Sequence, residues 1–373
     1  MQQIAIVGTG FVADLYMGSL QKYKDIQVLF AYDINEANLT RFCDYWKVRA
    51  ASDIQTLMSA ELDLVLNLTN PRSHFDVSKL LLESGHHVYS EKPLAMEMDQ
   101  AYQLQRIAAE KALILASAPC SFLGETAQIL RRALDQGLAG KPYLVYAELD
   151  DDFVPQAAYE KWLSVSGAPW PYRDEVEVGC TLEHAGYYLT WLMQSFGSVK
   201  KVIAASADLV DNKIPGSNET APDYSTAMLF FESGVVARLT CSIIAPHDHR
   251  MQVFCENGIL SVDECWDNSE KVKFKKRFRL RRRLITSPLA KTLKLKGPTH
   301  KKVEGLGSAA MNFALGPVEI LESLQEKREC RLTAEFALHL TEVTLAIQNS
   351  RDSAGVQVMQ TKMPQVTPMP WAT

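Results

Sequence analysis

The sequence has 373 residues, of which 47% are hydrophobic, and a formal net charge of −5. This length exceeds one ordinary hydrophobic core and predicts a globular protein of two domains. The seven cysteines lack CxxC spacing, which argues against a disulfide scaffold and a thiolate zinc site and favours a reducing, cytoplasmic setting. No apolar run approaches the length of a membrane span, and the first predicted strand begins too close to Met1 for a signal peptide, so we expect neither a transmembrane segment nor secretion.

The chain begins with a predicted strand that leads into a glycine-rich turn. The apolar run at 3–7 is followed by Gly8-Thr9-Gly10-Phe11-Val12-Ala13 and then by a helical pattern. This is G-x-G-x-x-A in a strand-turn-helix context: Gly8 permits a tight turn, Gly10 lets the backbone approach a pyrophosphate, and Ala13 lets the helix pack closely. The N–H groups and dipole at the helix N-terminus then favour phosphates. The predicted dinucleotide contacts in this turn are Gly8, Gly10, Phe11 and Val12.

The second predicted strand, at 26–32, ends at Asp33, about 20 residues after the glycines. A carboxylate at this position would accept hydrogen bonds from the hydroxyls of an adenosine ribose. Because Asp33 is an acid and no arginine is nearby in the sequence, a 2′-phosphate would be repelled, and the sequence favours NAD over NADP. The alternative role for Asp33 is the N-cap of the helix predicted at 36–45.

Strands alternate with helices up to about residue 116, which predicts a parallel sheet with right-handed crossovers. Ligands of such sheets bind beyond the carboxyl ends of the strands, and Thr69-Asn70-Pro71 and Ser90-Glu91-Lys92-Pro93 follow two of these ends. His74, early in a predicted helix, could line the same edge. The further candidate cofactor contacts are Thr69, Asn70, Pro71, His74, Glu91 and Lys92. Lys92 is also a candidate catalytic residue, because the proline after it restricts its backbone and the direction of its ammonium group.

The glycine-rich turn, the Asp33 strand end and Glu91-Lys92-Pro93 together resemble the Gfo/Idh/MocA family of nicotinamide-dependent oxidoreductases, over nearly the whole chain. The resemblance implies an α/β protein with an N-terminal Rossmann domain, residues 1–120, and a C-terminal α+β domain with an open, mainly antiparallel sheet, residues 121–373. It also implies that Lys92 lies near the nicotinamide and the reacting hydroxyl or carbonyl. A homodimer or homotetramer that uses the broad sheet is a further implication.

The second signature of the family is an aspartate followed four residues later by a catalytic histidine, and the matching positions here are His184 and Tyr188. Residues four apart share one face of an α-helix. Two assignments stay open: Tyr188 works with Lys92, whose charge would favour the phenolate, or His184 transfers the proton and Tyr188 orients the substrate. The structural alternative is that both residues only pack in the core.

The pattern changes at about residue 141 to strands with few helices between them, which predicts the antiparallel sheet. These strands are expected at 143–149, 199–209, 225–231, 235–244, 251–255 and 258–262. Helices are expected at 182–196, 309–327 and 333–348, and the proline-containing tail at 363–373 is expected to be extended. Because His247-Asp248-His249 has no further ligand at a supporting spacing, no metal site is predicted.

Residues 271–303 contain 14 Lys or Arg and no acidic residue. From Lys271 to Arg283 every odd position is cationic and most even positions are apolar, which predicts a cationic stripe on one face of a strand. Such a stripe is a solvated strand face, or it attracts an anionic sugar nucleotide, a membrane surface through residues 271–302, or nucleic acid. Because no recognised nucleic-acid-binding fold accompanies it, no nucleic-acid partner is predicted.

These features predict an NAD-dependent oxidoreductase that transfers hydride to or from a hydroxyl or keto carbon of a sugar, polyol or sugar derivative, which could be anionic. The resemblance also implies two alternatives. One is an NAD-dependent glycosidase that oxidises its sugar transiently, and the other is a non-catalytic regulator that binds a dinucleotide.

Overall fold

The computed structural model describes residues 1–214, 220–305, 307–351 and 355–373. Two sheets organise this part of the chain, a six-stranded sheet built from the N-terminal residues and a ten-stranded sheet built from the C-terminal ones. None of the helices in these ranges has both the length and the apolar character needed to cross a membrane. The seven cysteines are all free thiols.

The N-terminal sheet is parallel and has the strand order β3-β2-β1-β4-β5-β6. Its strands are β1 (Gln2–Val7), β2 (Ile26–Tyr32), β3 (Arg49–Ala50), β4 (Leu64–Asn67), β5 (Val88–Ser90) and β6 (Leu115–Ser117). The helices between them are α1 (Phe11–Leu20), α2 (Glu36–Trp46), α3 (Ile54–Met58), α4 (His74–Glu83) and α5 (Met98–Glu110). Strands β4 and β5 are buried along their whole length, because helices cover both faces of the sheet. The predicted Rossmann domain is confirmed.

The C-terminal sheet has the order β14-β13-β12-β11-β7-β10-β9-β8-β16, with β15 paired to β13. Its strands are β7 (Pro142–Asp150), β8 (Val199–Ala207), β9 (Tyr224–Phe231), β10 (Val236–Ser242), β11 (Met251–Cys255), β12 (Gly258–Val262), β13 (Lys273–Leu280), β14 (Arg283–Thr286), β15 (Lys291–Thr292) and β16 (Val356–Val358). Only the pair β7 and β10 is parallel among the described strands of this sheet. The prediction of a mainly antiparallel sheet is confirmed.

Five helices accompany this sheet, and two of them return to the first domain. They are α6 (Glu125–Asp135), α7 (Tyr172–Val178), α8 (Gly186–Phe196), α9 (Leu315–Glu326) and α10 (Ala334–Gln348). Helix α10 packs against α5 and β8, and α9 packs against β4. Gly316 of α9 lies so close to Tyr89 that a Cβ atom there would be 2.4 Å from the ring. The C-terminal tail is also packed, since the Met369 N–H donates to Gln128 at 2.9 Å.

The entry to α8 is irregular, and this decides which side chains face the neighbouring cleft. A π-helical turn, Thr181–Ala185, precedes the regular helix. A π turn holds more residues than an α turn, so the side chains that follow it are rotated relative to an uninterrupted α-helix. The regular α-helical spacing expected between residues 184 and 188 is therefore interrupted by this turn.

The basic stripe also departs from the expected single strand. Strand β13 ends at Leu280, the chain turns through Arg281, which has φ of +54°, and β14 runs back from Arg283. The cations at 271–283 are thus divided between β13, a tight turn and the start of β14. They form part of a hairpin rather than one continuous edge.

Candidate active site

A cleft of about 1000 Å³ lies where the carboxyl ends of β1, β2, β4 and β5 face the second domain. The N-terminal wall of the cleft contains every residue predicted to contact the cofactor, namely Gly8, Gly10, Phe11, Val12, Asp33, Thr69, Asn70, Pro71, His74, Glu91 and Lys92. The C-terminal wall includes Asp151, Trp162, Trp170, Asp174, Glu175, Glu183, His184, Tyr187, His247 and Trp266. The cleft is large enough for a dinucleotide with a small polar substrate.

The glycine-rich turn leaves open space above the N-terminus of α1. Gly8 has φ of +92°, and a Cβ atom there would lie 2.5 Å from the Leu68 carbonyl oxygen, so a side chain at this position would collide with the backbone that follows β4. A Cβ atom at Gly10 would meet no described atom within 4 Å. Since Gly10 lines the cleft and α1 begins at the next residue, the space it leaves fits a pyrophosphate.

Asp33 stabilises this turn through hydrogen bonds and is not the N-cap of α2. Its carboxylate accepts hydrogen bonds from the N–H and hydroxyl of Thr9, at 2.7 and 2.8 Å. The N-cap of α2 is Asn35, whose side chain accepts from the next helical N–H groups, so the alternative capping role for Asp33 is wrong. Arg41 donates to the Thr9 carbonyl at 3.2 Å and does not line the cleft. No described arginine side chain therefore borders the place where a 2′-phosphate would lie.

His74 connects the two segments that follow β4 and β5. Its imidazole lies 2.6 Å from the Pro93 carbonyl oxygen through Nδ1 and 2.9 Å from the Thr69 carbonyl oxygen through Nε2. The side chain is fully buried at the floor of the cleft. His74 therefore holds the backbone on which Lys92 is mounted.

Lys92 is fixed at both its backbone and its ammonium group. Its N–H donates to Glu91 at 3.1 Å, and Glu91 in turn accepts from the Tyr16 hydroxyl at 2.6 Å. The Lys92 ammonium forms an ion pair with Glu183 from the π turn. Burial by itself would lower the pKa of Lys92, but the surrounding groups, first the charge of Glu183, together outweigh it and hold that pKa well above the ordinary value. Lys92 is thus an ammonium ion at neutral pH.

His184 lies between two carboxylates. Its Nδ1 is 2.7 Å from Asp151 and its Nε2 is 2.7 Å from Glu175. Burial opposes a charge on the ring, but Glu175 and Asp151 together raise the pKa of His184 well above the ordinary value. An imidazolium with both nitrogens engaged has no lone pair to accept a proton. This geometry argues against the predicted proton transfer by His184.

Tyr188 does not line the cleft, so its predicted role beside Lys92 is wrong. Its side chain is fully buried, and its hydroxyl donates to the His249 carbonyl while its ring packs edge-on against Trp191. The preceding residue, Tyr187, lines the cleft instead. The Tyr188 ring instead lies on the side of α8 that packs against the second domain, where its hydroxyl meets the His249 carbonyl. Burial raises the pKa of Tyr187, so its hydroxyl stays protonated at neutral pH.

Asp174 is a further carboxylate of the cleft. Burial, with the charges of Glu183 and Glu177, raises the pKa of Asp174 to about 6. Its protonation therefore changes within the physiological pH range, unlike that of the neighbouring His184.

Carboxylates that are distant in the sequence also surround His247 and His249 in the fold. His249 Nε2 lies 2.9 Å from Asp151, and its Nδ1 lies 2.7 Å from Glu264. The sequence offers no further ligand at a supporting spacing from these histidines, but in the fold Asp151 and Glu264 lie beside His249. Burial opposes a charge on His249, but its hydrogen bonds, first that to Asp151, raise its pKa to about 12. With both ring nitrogens facing carboxylates, His249 forms an ion-pair network with Asp151 and Glu264.

A hairpin at 162–170, the cleft hairpin, joins the second domain to the first. Leu163 pairs with Pro169 across it, and its two tryptophans, Trp162 and Trp170, line the cleft. Asp14 of α1 accepts hydrogen bonds from the Ser164 hydroxyl and from the N–H and hydroxyl of Ser166, the latter two at 3.1 and 2.7 Å. The cleft hairpin is therefore held against the helix that begins at the glycine-rich turn.

Comparison with known families identifies the architecture around this cleft. Residues 2–118 match the NAD-binding Rossmann domain of the Gfo/Idh/MocA oxidoreductase family, and residues 127–261 match the C-terminal domain of the same family. The two ranges cover more than half of the chain. The chain belongs to the Gfo/Idh/MocA oxidoreductase family. The predicted family, fold and NAD cofactor are confirmed, and the protein is an NAD-dependent oxidoreductase.

Relatives of this family member include sugar and polyol dehydrogenases. It is 25% identical over 260 residues to UDP-N-acetylglucosamine 3-dehydrogenase of Acidithiobacillus ferrooxidans, covering 69% of this chain and 72% of that protein. It is 22% identical over 266 residues to myo-inositol 2-dehydrogenase of Thermotoga maritima, covering 70% and 75% of the two. The crystal structure of the WlbA dehydrogenase from Bordetella pertussis, in complex with NADH and UDP-GlcNAcA, superposes with a TM-score of 0.71 at 16% identity and covers 97% of this chain and 98% of that one.

The sequence alone did not identify several residues that line the cleft of this oxidoreductase. Glu183 adjoins His184 in the stretch that resembles the family signature, and the π turn brings it to Lys92. Asp151 follows β7 in a run of three aspartates, and its contacts with His184 and His249 distinguish it from its neighbours. Glu175, Tyr187 and Trp266 carry no signal in the sequence, since nothing local shows which side of a helix or loop faces the cleft.

Proposed function

We propose that this oxidoreductase transfers hydride between NAD(H) and a hydroxyl or keto carbon of a sugar, polyol or sugar derivative. The observation that supports it best is the ion pair of Lys92 and Glu183 in the cleft that borders the glycine-rich turn. NAD(H) supplies the hydride acceptor or donor when bound. Gly8, Gly10 and Asp33 would hold its adenosine and pyrophosphate half, and Thr69 to Pro71 and Lys92 would border the nicotinamide half.

In the proposed reaction Lys92 exchanges the proton of the reacting oxygen. In carbonyl reduction the Lys92 ammonium donates a proton to the oxygen, and in alcohol oxidation a neutral Lys92 accepts it. Glu183 keeps Lys92 charged, which favours the first of these steps at neutral pH. The protonated hydroxyl of Tyr187 would donate a second hydrogen bond to the substrate, while His184 holds Asp151 and Glu175 apart on either side of its ring.

The C-terminal wall of the cleft supports a polyhydroxylated substrate. Trp162, Trp170 and Trp266 offer apolar ring faces on which the C–H face of a sugar can pack. The buried indole Nε1 of Trp266 has no hydrogen-bond partner among the described residues, so a substrate oxygen can accept from it. The carboxylates of Asp174 and Glu175 provide acceptors for hydroxyl groups. A homo-oligomer and a cytoplasmic location stay predictions.

The test is a panel of sugars, polyols and nucleotide sugars, with turnover followed by NADH absorbance. On an active substrate, Lys92→Met should lower kcat by roughly 10²–10⁴-fold, which is the usual contribution of a general acid or base. NAD binding by that variant, measured by calorimetry, should persist. The exposed Lys24→Met is the matched control and should leave kcat unchanged.

Three outcomes would contradict the proposal. If Lys92→Met equals the unmodified protein on an active substrate, Lys92 does not transfer the proton. If a glycoside loses its leaving group with no net change in NADH, the protein is a glycosidase. If NAD binds and no compound in the panel turns over in either direction, the non-catalytic regulator becomes the better interpretation.

A further inference from the structure

The strands β13 and β14 form a hairpin, here called the basic hairpin (Lys273–Thr286), whose tip extends beyond the sheet. Strand β12 pairs with β13 only as far as Lys276, opposite Gly258. Beyond that point β13 pairs with β14 alone, from Arg277 opposite Thr286 to Leu280 opposite Arg283. The tip is therefore a two-stranded ribbon with both faces open to solvent. It also lies after the residues that match the family's C-terminal domain, which end at 261.

The positive charge of this region is largely uncompensated. Of the 14 Lys and Arg at 271–303, only Lys273 and Lys302 form ion pairs with carboxylates among the described residues, with Asp263 and Glu125. Arg279 and the three arginines of the turn, at 281–283, are exposed. Four guanidinium groups at one projecting tip repel one another unless an anion binds there. The tip is thus suited to a polyanionic partner.

Large apolar side chains accompany these arginines at the tip. Phe278 is 42% exposed, Leu280 55% and Leu284 68%. Cross-strand register places Leu284 opposite Arg279 and Leu280 opposite Arg283, so each face of the ribbon carries a leucine beside an arginine. A purely electrostatic contact does not require exposed leucines, whereas the boundary between lipid headgroups and acyl chains accommodates both residue types.

We propose that the basic hairpin is a docking site for the surface of an anionic lipid bilayer. The arginines and lysines bind headgroup phosphates, and Leu280 and Leu284 enter the layer below them. No residue of the hairpin lines the cleft, so an anionic substrate in the cleft does not explain its charge. Contact between the tips of two copies of the chain is disfavoured because they would repel one another. The peripheral contact is independent of the proposed sugar substrate.

Vesicle sedimentation tests this site with the full-length protein. The protein should sediment with vesicles of equal parts phosphatidylglycerol and phosphatidylcholine, and should stay in the supernatant with phosphatidylcholine alone. Adding salt should release it, because headgroup attraction is screened. Failure to sediment with the anionic vesicles at low salt would overturn the proposal.

Two variants of the basic hairpin separate the contribution of its charge from that of leucine insertion into the bilayer. R281E/R282E/R283E should weaken vesicle binding by more than about tenfold, since three cations near the surface are reversed. L280S/L284S keeps the charge and should also weaken binding. The matched control K22E/K24E/K111E changes the net charge by the same amount at exposed sites elsewhere and should bind as the unmodified protein does. NAD binding checks that each variant is folded.

Two results would overturn the assignment even if some sedimentation is seen. One is an equal loss of binding in the control variant, which would show a dependence on net charge alone. The other is unchanged binding of L280S/L284S together with tighter binding to a duplex oligonucleotide than to the anionic vesicles, which would make the hairpin a nucleic-acid contact.

Discussion

The two walls of the cleft are built in different ways. The N-terminal wall consists of short segments that each follow a parallel strand, so Gly8, Asp33 and Lys92 meet because strand ends meet at one edge of the sheet. The C-terminal wall gathers Asp151, Glu183 and Tyr187 from a strand end, the π turn and the first turn of α8, and its positions depend on packing between distant elements. The first wall follows from local motifs, whereas the second depends on tertiary contacts.

The largest expected effect comes from filling the space above α1 in the first wall. Gly10→Val should bind NAD at least about 100-fold more weakly, equivalent to roughly 2.7 kcal/mol, because its side chain would occupy the place proposed for the pyrophosphate. Gly10 has φ of −77° and its Cβ position is open, so the variant should fold. Isothermal calorimetry measures the affinity. Gly18→Ala in the same helix, also open at its Cβ position, is the control and should bind NAD normally.

The link between the two walls is tested by Glu183→Gln. The charge of Glu183 raises the pKa of Lys92, so its removal should move that pKa down towards the ordinary value. Alcohol oxidation requires neutral Lys92, and its pH-rate profile should shift to lower pH by one unit or more, about tenfold in rate at a given pH. Carbonyl reduction should instead begin to fall at alkaline pH. An unchanged profile in both directions would contradict the assignment of Lys92 as the proton donor.

A pair of tyrosine variants tests which of Tyr187 and Tyr188 faces the substrate in the second wall. Tyr187→Phe should lower kcat/KM by about tenfold through the loss of one hydrogen bond to the substrate. Tyr188→Phe should leave kcat/KM nearly unchanged and cost about 1 kcal/mol of unfolding free energy, because its hydroxyl only bonds the His249 carbonyl. Steady-state kinetics and urea unfolding measure the two effects. A larger loss of kcat/KM in Tyr188→Phe than in Tyr187→Phe would restore the prediction that Tyr188 acts beside Lys92.

A smaller effect is expected where the cleft hairpin contacts α1. Asp14→Asn should raise the NADH dissociation rate about fivefold, since weaker bonds to Ser164 and Ser166 let the hairpin leave the cleft more often. Stopped-flow fluorescence of bound NADH measures this rate. Asp44→Asn, an exposed change of the same kind, should have no effect. A dissociation rate in Asp14→Asn equal to that of the control would show that the hairpin does not limit NADH release.

The sequence predicted the N-terminal wall well because its signals are local. The G-x-G-x-x-A turn, the carboxylate at the end of β2 and the segments after β4 and β5 each occupy a few consecutive residues, and all of the predicted contacts line the cleft. The Asn35 cap was missed because Asp33 and Asn35 are both good capping residues two positions apart, and only the contact of Asp33 with Thr9 separates them.

The partners of Lys92 were predicted less well. His184 and Tyr188 were chosen by alignment with the family signature and by the four-residue period of an α-helix, but Tyr188 is buried against the His249 carbonyl and Tyr187 lines the cleft. His184 lies in the cleft, but Asp151 and Glu175, distant in the sequence or on another helix, hold it charged, which argues against the predicted proton transfer. A pKa depends on every charge nearby in space, so residue type alone could not predict it.

By itself, the sequence determined the Rossmann domain, the NAD cofactor and the position of Lys92 after a strand, because hydrophobic periodicity and short motifs specify how strands, turns and helix starts form. It also determined that a strongly basic segment exists. Only the tertiary structure decided that Glu183 pairs with Lys92, that Tyr187 replaces Tyr188 in the cleft, and that the basic segment is a projecting hairpin with exposed leucines. These features depend on which distant residues come together, and that is settled by packing of the whole chain rather than by local preference.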